Sequence, residues 1–111
     1  MEKYHQDEKY IGKCGFYYTL GLISSKYKMS ILYLLSRHKI IRYNELKRLI
    51  DGVSFKSLTK ALKELESDDL IIRTEYPQIP PKVEYSLSKR GESLIPILDL
   101  MCKWGIDNKK I

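Results

Sequence analysis

DGVSFKSLTKALKELESDDLIIRTEYPQIPPKVEYSL, residues 51–87, holds the order of elements on which the fold turns. Asp51-Gly52 is a strong turn signal, and Ser54 is placed to cap a helix running to about Ser67. Within that helix Leu58, Leu62 and Leu65 step by four and three residues along one face, whereas Lys56, Lys60, Lys63 and Glu64 occupy others. Asp68-Asp69 breaks the pattern. Ile71 to Tyr76 reads as a strand, and Pro77, Pro80 and Pro81 mark a tip that resists collapsing onto the sheet. Val83, Tyr85 and Leu87 then alternate with Glu84 and Ser86, as a half-buried strand does.

Upstream, Ser24 and Ser25 offer N-caps for a helix over about residues 26–37, with Met29, Ile31, Leu32, Leu34 and Leu35 as its apolar stripe. Residues 40–42 form a short extended piece. Asn44 is expected to cap or open the next helix, where Leu46, Leu49 and Ile50 recur at helical spacing. That helix, the Gly52 turn and the helix from Ser54 make a helix-turn-helix, and the hairpin after it makes the unit a winged helix. Downstream, Ser88 caps a final helix with Glu92 in its first turns. Pro96 removes one backbone donor there and is expected to kink it. Residues 16–23 form a short apolar, aromatic segment of one or two helical turns.

The expected fold is therefore mostly α with a small β-hairpin, a winged helix-turn-helix with N- and C-terminal dimerisation helices. Residues 1–13 are expected to form a flexible N-terminal arm, residues 14–107 a single DNA-binding and dimerisation domain, and residues 108–111 a C-terminal tail. With 111 residues, 43% of them apolar and 31% charged, the chain suits one globular core. No apolar run approaches the twenty or so residues of a transmembrane helix, and the start MEKYHQDEKY lacks the apolar stretch of a signal peptide. A cytoplasmic chain is the expectation.

Net charge is +6, and its distribution is uneven. Residues 24–63 carry ten bases against Glu45 and Asp51, whereas residues 64–88 carry two bases against six acids. A basic stretch that includes a helix-turn-helix points to nucleic acid. In that reading the helix from Ser54 enters the major groove, with Ser54, Phe55, Lys56, Ser57, Thr59 and Lys60 as candidates for base edges and Lys63 for phosphate. Phe55 is divided between a place in the core and contact with a thymine methyl. Arg42, Lys26 and Lys28 are phosphate candidates, and the wing tip from Gln78 to Lys82 could reach a flanking minor groove or the backbone.

The last helix presents Leu94, Ile97, Leu98, Met101 and Trp104 on one face, widened by Ile95, Leu100, Cys102 and Ile106. This exceeds what one small core needs. Burial against a second copy, assisted by Phe16, Tyr17, Leu20 and Ile23, is the economical solution; completion of a monomer core is the other. A twofold homodimer would present two recognition helices to a pseudo-palindromic operator in double-stranded DNA. Cys14 and Cys102 are too few for a disulfide scaffold, and His5 and His38 lack metal-ligand spacing. No metal, cofactor or catalytic residue is expected. No phosphate loop or paired nucleophile and base argues for an enzyme. The alternative reading is a winged-helix interaction module without DNA specificity.

Three stretches then resemble the HxlR family of winged-helix, MarR-like bacterial transcriptional regulators. They are YPQIPPKVEYSLSKRGESL (76–94), VSFKSLTKALKELESDDLI (53–71) and Arg42-Tyr43-Asn44-Glu45-Leu46, with Cys14 ahead of the first helix and Trp104 near the end. The resemblance spans about residues 14–105 and implies a dimeric regulator acting by promoter occupancy. Departures are Ser24-Ser25-Lys26-Tyr27 in place of a common Gly-Gly-Lys-Trp, Tyr43 in place of phenylalanine, and Ala61 where arginine is frequent. That last change is expected to remove a DNA contact. Family members that respond to aldehydes, quinones or oxidants use a cysteine aligned with Cys14. Lys13 and Lys9 nearby would favour its thiolate. Cys14 is thus either such a sensor, reacting alone or with a partner subunit's Cys102, or an inert thiol. Cys102 itself suits core or dimer packing.

Overall fold

The computed structural model describes residues 15–110. Five helices and three strands follow one another as α1 (Gly15–Ile23), α2 (Lys26–His38), β1 (Ile41–Arg42), α3 (Tyr43–Leu49), α4 (Phe55–Ser67), β2 (Ile71–Tyr76), β3 (Lys82–Leu87) and α5 (Lys89–Asn108). The expected hairpin gains a third member. The sheet is antiparallel in the order β1-β3-β2, with Ile41 opposite Tyr85 and Ile71 opposite Leu87. The expected 1–13 arm and Cys14 lie outside the described residues.

Serines start three of the helices, as their positions predict. Ser25, Ser54 and Ser88 each accept a hydrogen bond at Oγ from the backbone N–H three residues on, at 3.2, 3.0 and 2.9 Å. Each satisfies a donor that the first helical turn leaves unpaired. Asn44 does not cap α3. The helix begins one residue earlier at Tyr43, with Arg42 at the cap position and no side-chain cap bond, because the chain enters α3 directly from β1. Pro96 lies inside α5, which runs on to Asn108.

The C-terminus of α4 is a Schellman motif. The Leu70 N–H reaches the Leu65 carbonyl and the Asp69 N–H reaches the Glu66 carbonyl, both at 3.0 Å, while Leu70 packs with Leu65 in the core. This geometry holds Asp69 at φ 59°, a left-handed conformation that a Cβ disfavours. Asp69→Gly is therefore expected to stabilise the domain by about 0.5–1 kcal/mol, read as a raised midpoint in urea with an unchanged slope.

The core lies between α2, α4, the start of α5 and the inner face of the sheet. Ile31, Leu32, Leu35, Ile41, Leu46, Leu58, Leu65 and Leu70 are its fully buried members, and Tyr85 supplies the inward residue of β3. Met29 and Leu49, expected on apolar stripes, are exposed, and Leu34 is half-buried. The domain is small, so only part of each helix circumference finds a partner. The first turn of α5 rests on the start of β2: Ser88 N–H donates to the Leu70 carbonyl at 3.1 Å, and Ser88 Oγ donates to the Asp69 carbonyl at 2.7 Å. Gly91 makes that approach possible, since a Cβ there would stand 2.1 Å from the Leu70 carbonyl oxygen.

Candidate nucleic-acid interface

Leucine spacing along α4 predicts which face turns inward. Leu58, Ala61, Leu62 and Leu65 are buried, so the opposite side presents Phe55, Lys56, Lys60 and Lys63 to solvent. Phe55, Lys56, Thr59, Lys60, Lys63 and Glu64 line one open groove of about 500 Å3. Ser54, although exposed, is occupied as the cap, and Ser57 is half-buried. Phe55 is outside the core, with 62% of its surface exposed.

Ala61 is a correction. Its position faces the core, and the side chain is buried, so alanine there removes no DNA contact. Lys28 is another. It is buried and paired with Glu64 at 3.0 Å, which takes it off the surface and out of the phosphate candidates. The hydrogen bond from Lys28 holds the Glu64 carboxyl below the usual carboxylate range, against the opposing pull of desolvation and with help from the charges of Lys28 and Lys60. A depressed folded-state value contributes stability above the ordinary glutamate range, and that stability is lost as pH falls through the folded value. Glu64→Gln is expected to lower the melting temperature at pH 7, because it strands the Lys28 ammonium. It should also flatten the acid limb of a stability-versus-pH profile.

Thr59 is half-buried and engaged, its Oγ1 2.9 Å from the Tyr43 hydroxyl on α3, so only part of it reaches the groove. Lys82 is the third correction. It stands on β3 opposite Tyr76 rather than at the wing tip, with its ammonium 3.4 Å from Glu84 and 4.6 Å from the centre of the Tyr76 ring. Gln78 remains exposed at the tip, beside the fully exposed Ile79. Arg42 is exposed and at 4.0 Å from Glu84 is only loosely held. Lys26 is exposed at the start of α2.

Tyr43 and Lys47 were not anticipated as site residues. Both lie on α3, four residues apart and so on one face, and both reach Phe55. The Tyr43 and Phe55 rings stack at 5.8 Å and 10°, and Lys47 Nζ lies 4.8 Å from the Phe55 centroid. Tyrosine in place of the family's phenylalanine was the one sequence signal. Its hydroxyl donates to the Phe55 carbonyl at 3.3 Å, tying α3 to the first turn of α4.

The second surface divides differently from the sequence expectation. Leu94 and Leu98 are buried in the monomer core, which α5 joins against α2 and β3, and are withdrawn from the dimerisation set. Phe16, Tyr17, Leu20, Ile97, Met101 and Trp104 are exposed, together with Leu100 and Ile106. Cys102 is exposed rather than in the core. With Met29, Tyr33, Leu98 and Met101 it lines a groove of about 370 Å3 between α2 and α5. Among the described residues no group of acidic, cysteine or histidine side chains is arranged to hold a metal, and no helix is long and apolar enough to cross a membrane.

A short inter-helix turn, a basic outward ridge on the second helix and a following two-stranded wing define a winged helix-turn-helix protein of the DNA-binding class. Comparison with known proteins gives the family: the HxlR-like helix-turn-helix pattern matches residues 22–111, and the chain belongs to that family of transcriptional regulators. It is 50% identical over 109 residues to an uncharacterized HTH-type transcriptional regulator of Halalkalibacterium halodurans, covering 98% of this chain and 96% of the relative. Identity to the uncharacterized HTH-type transcriptional regulator YdzF of Bacillus subtilis is 55% over 91 residues, or 82% of this chain and 84% of the relative. Among solved structures, the redox regulator HypR in its reduced form matches with a TM-score of 0.82 at 38% identity, over 86% of this chain and 93% of that one. Its oxidised form matches with a TM-score of 0.80 at the same identity, over 88% of this chain and all of that one.

Proposed function

We propose that this regulator binds a pseudo-palindromic operator as a homodimer, each copy placing α4 in the major groove and its wing against the flanking backbone. The observation that carries the reading is the outward ridge of Lys56, Lys60 and Lys63 on a helix whose other face is locked into the core. Lys56 and Lys60 serve base edges, Lys63, Arg42 and Lys26 serve phosphates, and Gln78 meets the flank. Ser54 and Ser57 contribute from the helix start. Occupancy of a promoter then blocks or assists transcription. The testing experiment selects bound genomic fragments and compares the best with a scrambled duplex at the same salt. Equal affinity for both would overturn sequence-specific regulation, since phosphate neutralisation alone binds any duplex.

Dimerisation is assigned to the exposed side chains of α1 and α5. An apolar surface this broad is costly to leave in water and suits an isologous contact. Met101→Lys is expected to convert dimer to monomer in sedimentation while the melting curve keeps its cooperativity. An unchanged sedimentation coefficient would reject Met101 as an interface residue.

Thiol sensing at Cys14 completes the proposal, supported by the likeness to a redox regulator solved in two oxidation forms. An aldehyde or quinone would add to the Cys14 thiolate, or an oxidant would accept two electrons as Cys14 and a partner subunit's cysteine form a disulfide. Either would alter the spacing of the two recognition helices. Cys14→Ser is expected to retain operator binding and lose the response to mild oxidant; a surviving response would reject Cys14.

A further inference from the structure

We infer that Phe55, clamped by Tyr43 and Lys47, is a reader of thymine methyl groups in the operator. The inference rests on α4 entering the major groove, as proposed above, and adds the base that the aromatic residue selects. Phe55 opens α4 and keeps 62% of its surface in solvent, although burying such a ring would stabilise the fold by roughly 1.5–3 kcal/mol. Its orientation is nonetheless held by other groups. The Tyr43 ring lies parallel to it at 5.8 Å, the Lys47 ammonium sits 4.8 Å from its centroid, and the Tyr43 hydroxyl bonds its carbonyl. The same hydroxyl meets Thr59 one turn further along α4. A ring held in place before association loses little rotamer freedom on contact.

Charge identifies the occupant. Phe55 shares its groove with Lys56, Lys60 and Lys63, and Lys47 adds a fourth ammonium; the one acid of that groove, Glu64, is paired with Lys28. Four cations around one exposed ring suit a polyanion that also offers a small apolar group. In the major groove of DNA that group is the C5-methyl of thymine. Lys56 beside the ring can serve a guanine next to that thymine, so the two would read adjacent bases.

The test uses the full-length protein and the duplex most enriched from a random library. Each thymine is replaced singly, in symmetric pairs, by deoxyuridine, which removes the methyl and leaves every Watson–Crick group. Wild type is expected to show one symmetric pair at which the replacement weakens binding about fourfold per half-site. Phe55→Ala should bind the thymine and deoxyuridine duplexes equally, with an unchanged salt slope, and Phe55→Leu should keep part of the preference. Tyr43→Leu, which removes the stacked ring and its hydroxyl and leaves only Lys47 against Phe55, should narrow the difference. An enriched operator with no methyl-dependent position, or a full preference retained by Phe55→Ala, would overturn the inference while leaving DNA recognition intact. Failure to enrich any sequence would instead remove the reading on which it rests.

Discussion

Gly91→Ala is expected to cost at least about 3 kcal/mol and to lower the melting temperature by more than about 12 °C. Helix propensity predicts the opposite sign, since Ala in a helix interior is favoured over Gly by nearly 1 kcal/mol. Tertiary contact decides. The added Cβ would stand 2.1 Å from the Leu70 carbonyl oxygen, 3.1 Å from its carbon and 3.2 Å from Leu87 Cδ2. The first two are backbone atoms and cannot swing aside. Leu70 is held by the Schellman bond to Leu65 on one side and by Ser88 on the other, and Ile71 is paired with Leu87. Relief requires lifting the first turn of α5 off the sheet, which would uncover Leu94 and break the Ser88 cap. Gly105, in the same helix, would meet nothing within 4 Å. Gly105→Ala should therefore be neutral or mildly stabilising. Thermal melts of the two variants side by side check this, and a Gly91→Ala midpoint within about 3 °C of wild type would refute the packing argument.

Simultaneous replacement of Lys56 and Lys60 by Ala is expected to weaken operator binding at least about 30-fold per half-site. A side chain serving a base edge contributes roughly 1–3 kcal/mol of discrimination, and neither lysine is buried, so stability should hold. The salt dependence separates roles. A lysine on phosphate lowers affinity for every duplex alike and reduces the slope of log K against log salt by about one. Lys63→Ala is expected to behave in that manner, whereas Lys56→Ala and Lys60→Ala should also relax preference at particular base pairs. Titrations of operator and scrambled duplex at two salt concentrations distinguish these results. Undiminished operator affinity in the double variant would reject α4 as the recognition helix.

The elements were legible because their signals are local. Ser25, Ser54 and Ser88 cap where their position ahead of a periodic run predicts, and the leucine step of α4 correctly turns Leu58, Leu62 and Leu65 inward. The helix spacing of α5 was also right, yet it left open which part of the apolar face the monomer would cover. Leu94 and Leu98 meet the core while Ile97, Met101 and Trp104 do not. The buried residues of α5, Gly91, Leu94 and Leu98, all lie in its N-terminal half, a consequence of domain size that periodicity does not carry.

Charged residues show the same division. Lys28 and Lys26 look alike in sequence, and both sit in the first turn of α2. Only the crossing of α2 over α4 brings Glu64 within 3.0 Å of one of them and buries it. Lys82 reads as part of the wing tip until strand register places it opposite Tyr76 and beside Glu84. Family comparison marked Ala61 as a lost DNA contact, and its inward direction shows that the position serves packing.

Sequence by itself determined the order of elements, their caps, the basic character of the helix-turn-helix and the family. Each of these depends on residues within a turn or two of one another, or on composition. Tertiary structure alone decided which lysines are free, that β1 joins the wing, that Gly91 touches Leu70, and that Tyr43 and Lys47 grip Phe55. Those facts depend on pairs of groups distant along the chain, and their contact is set by how helices cross and strands register rather than by any spacing in the sequence.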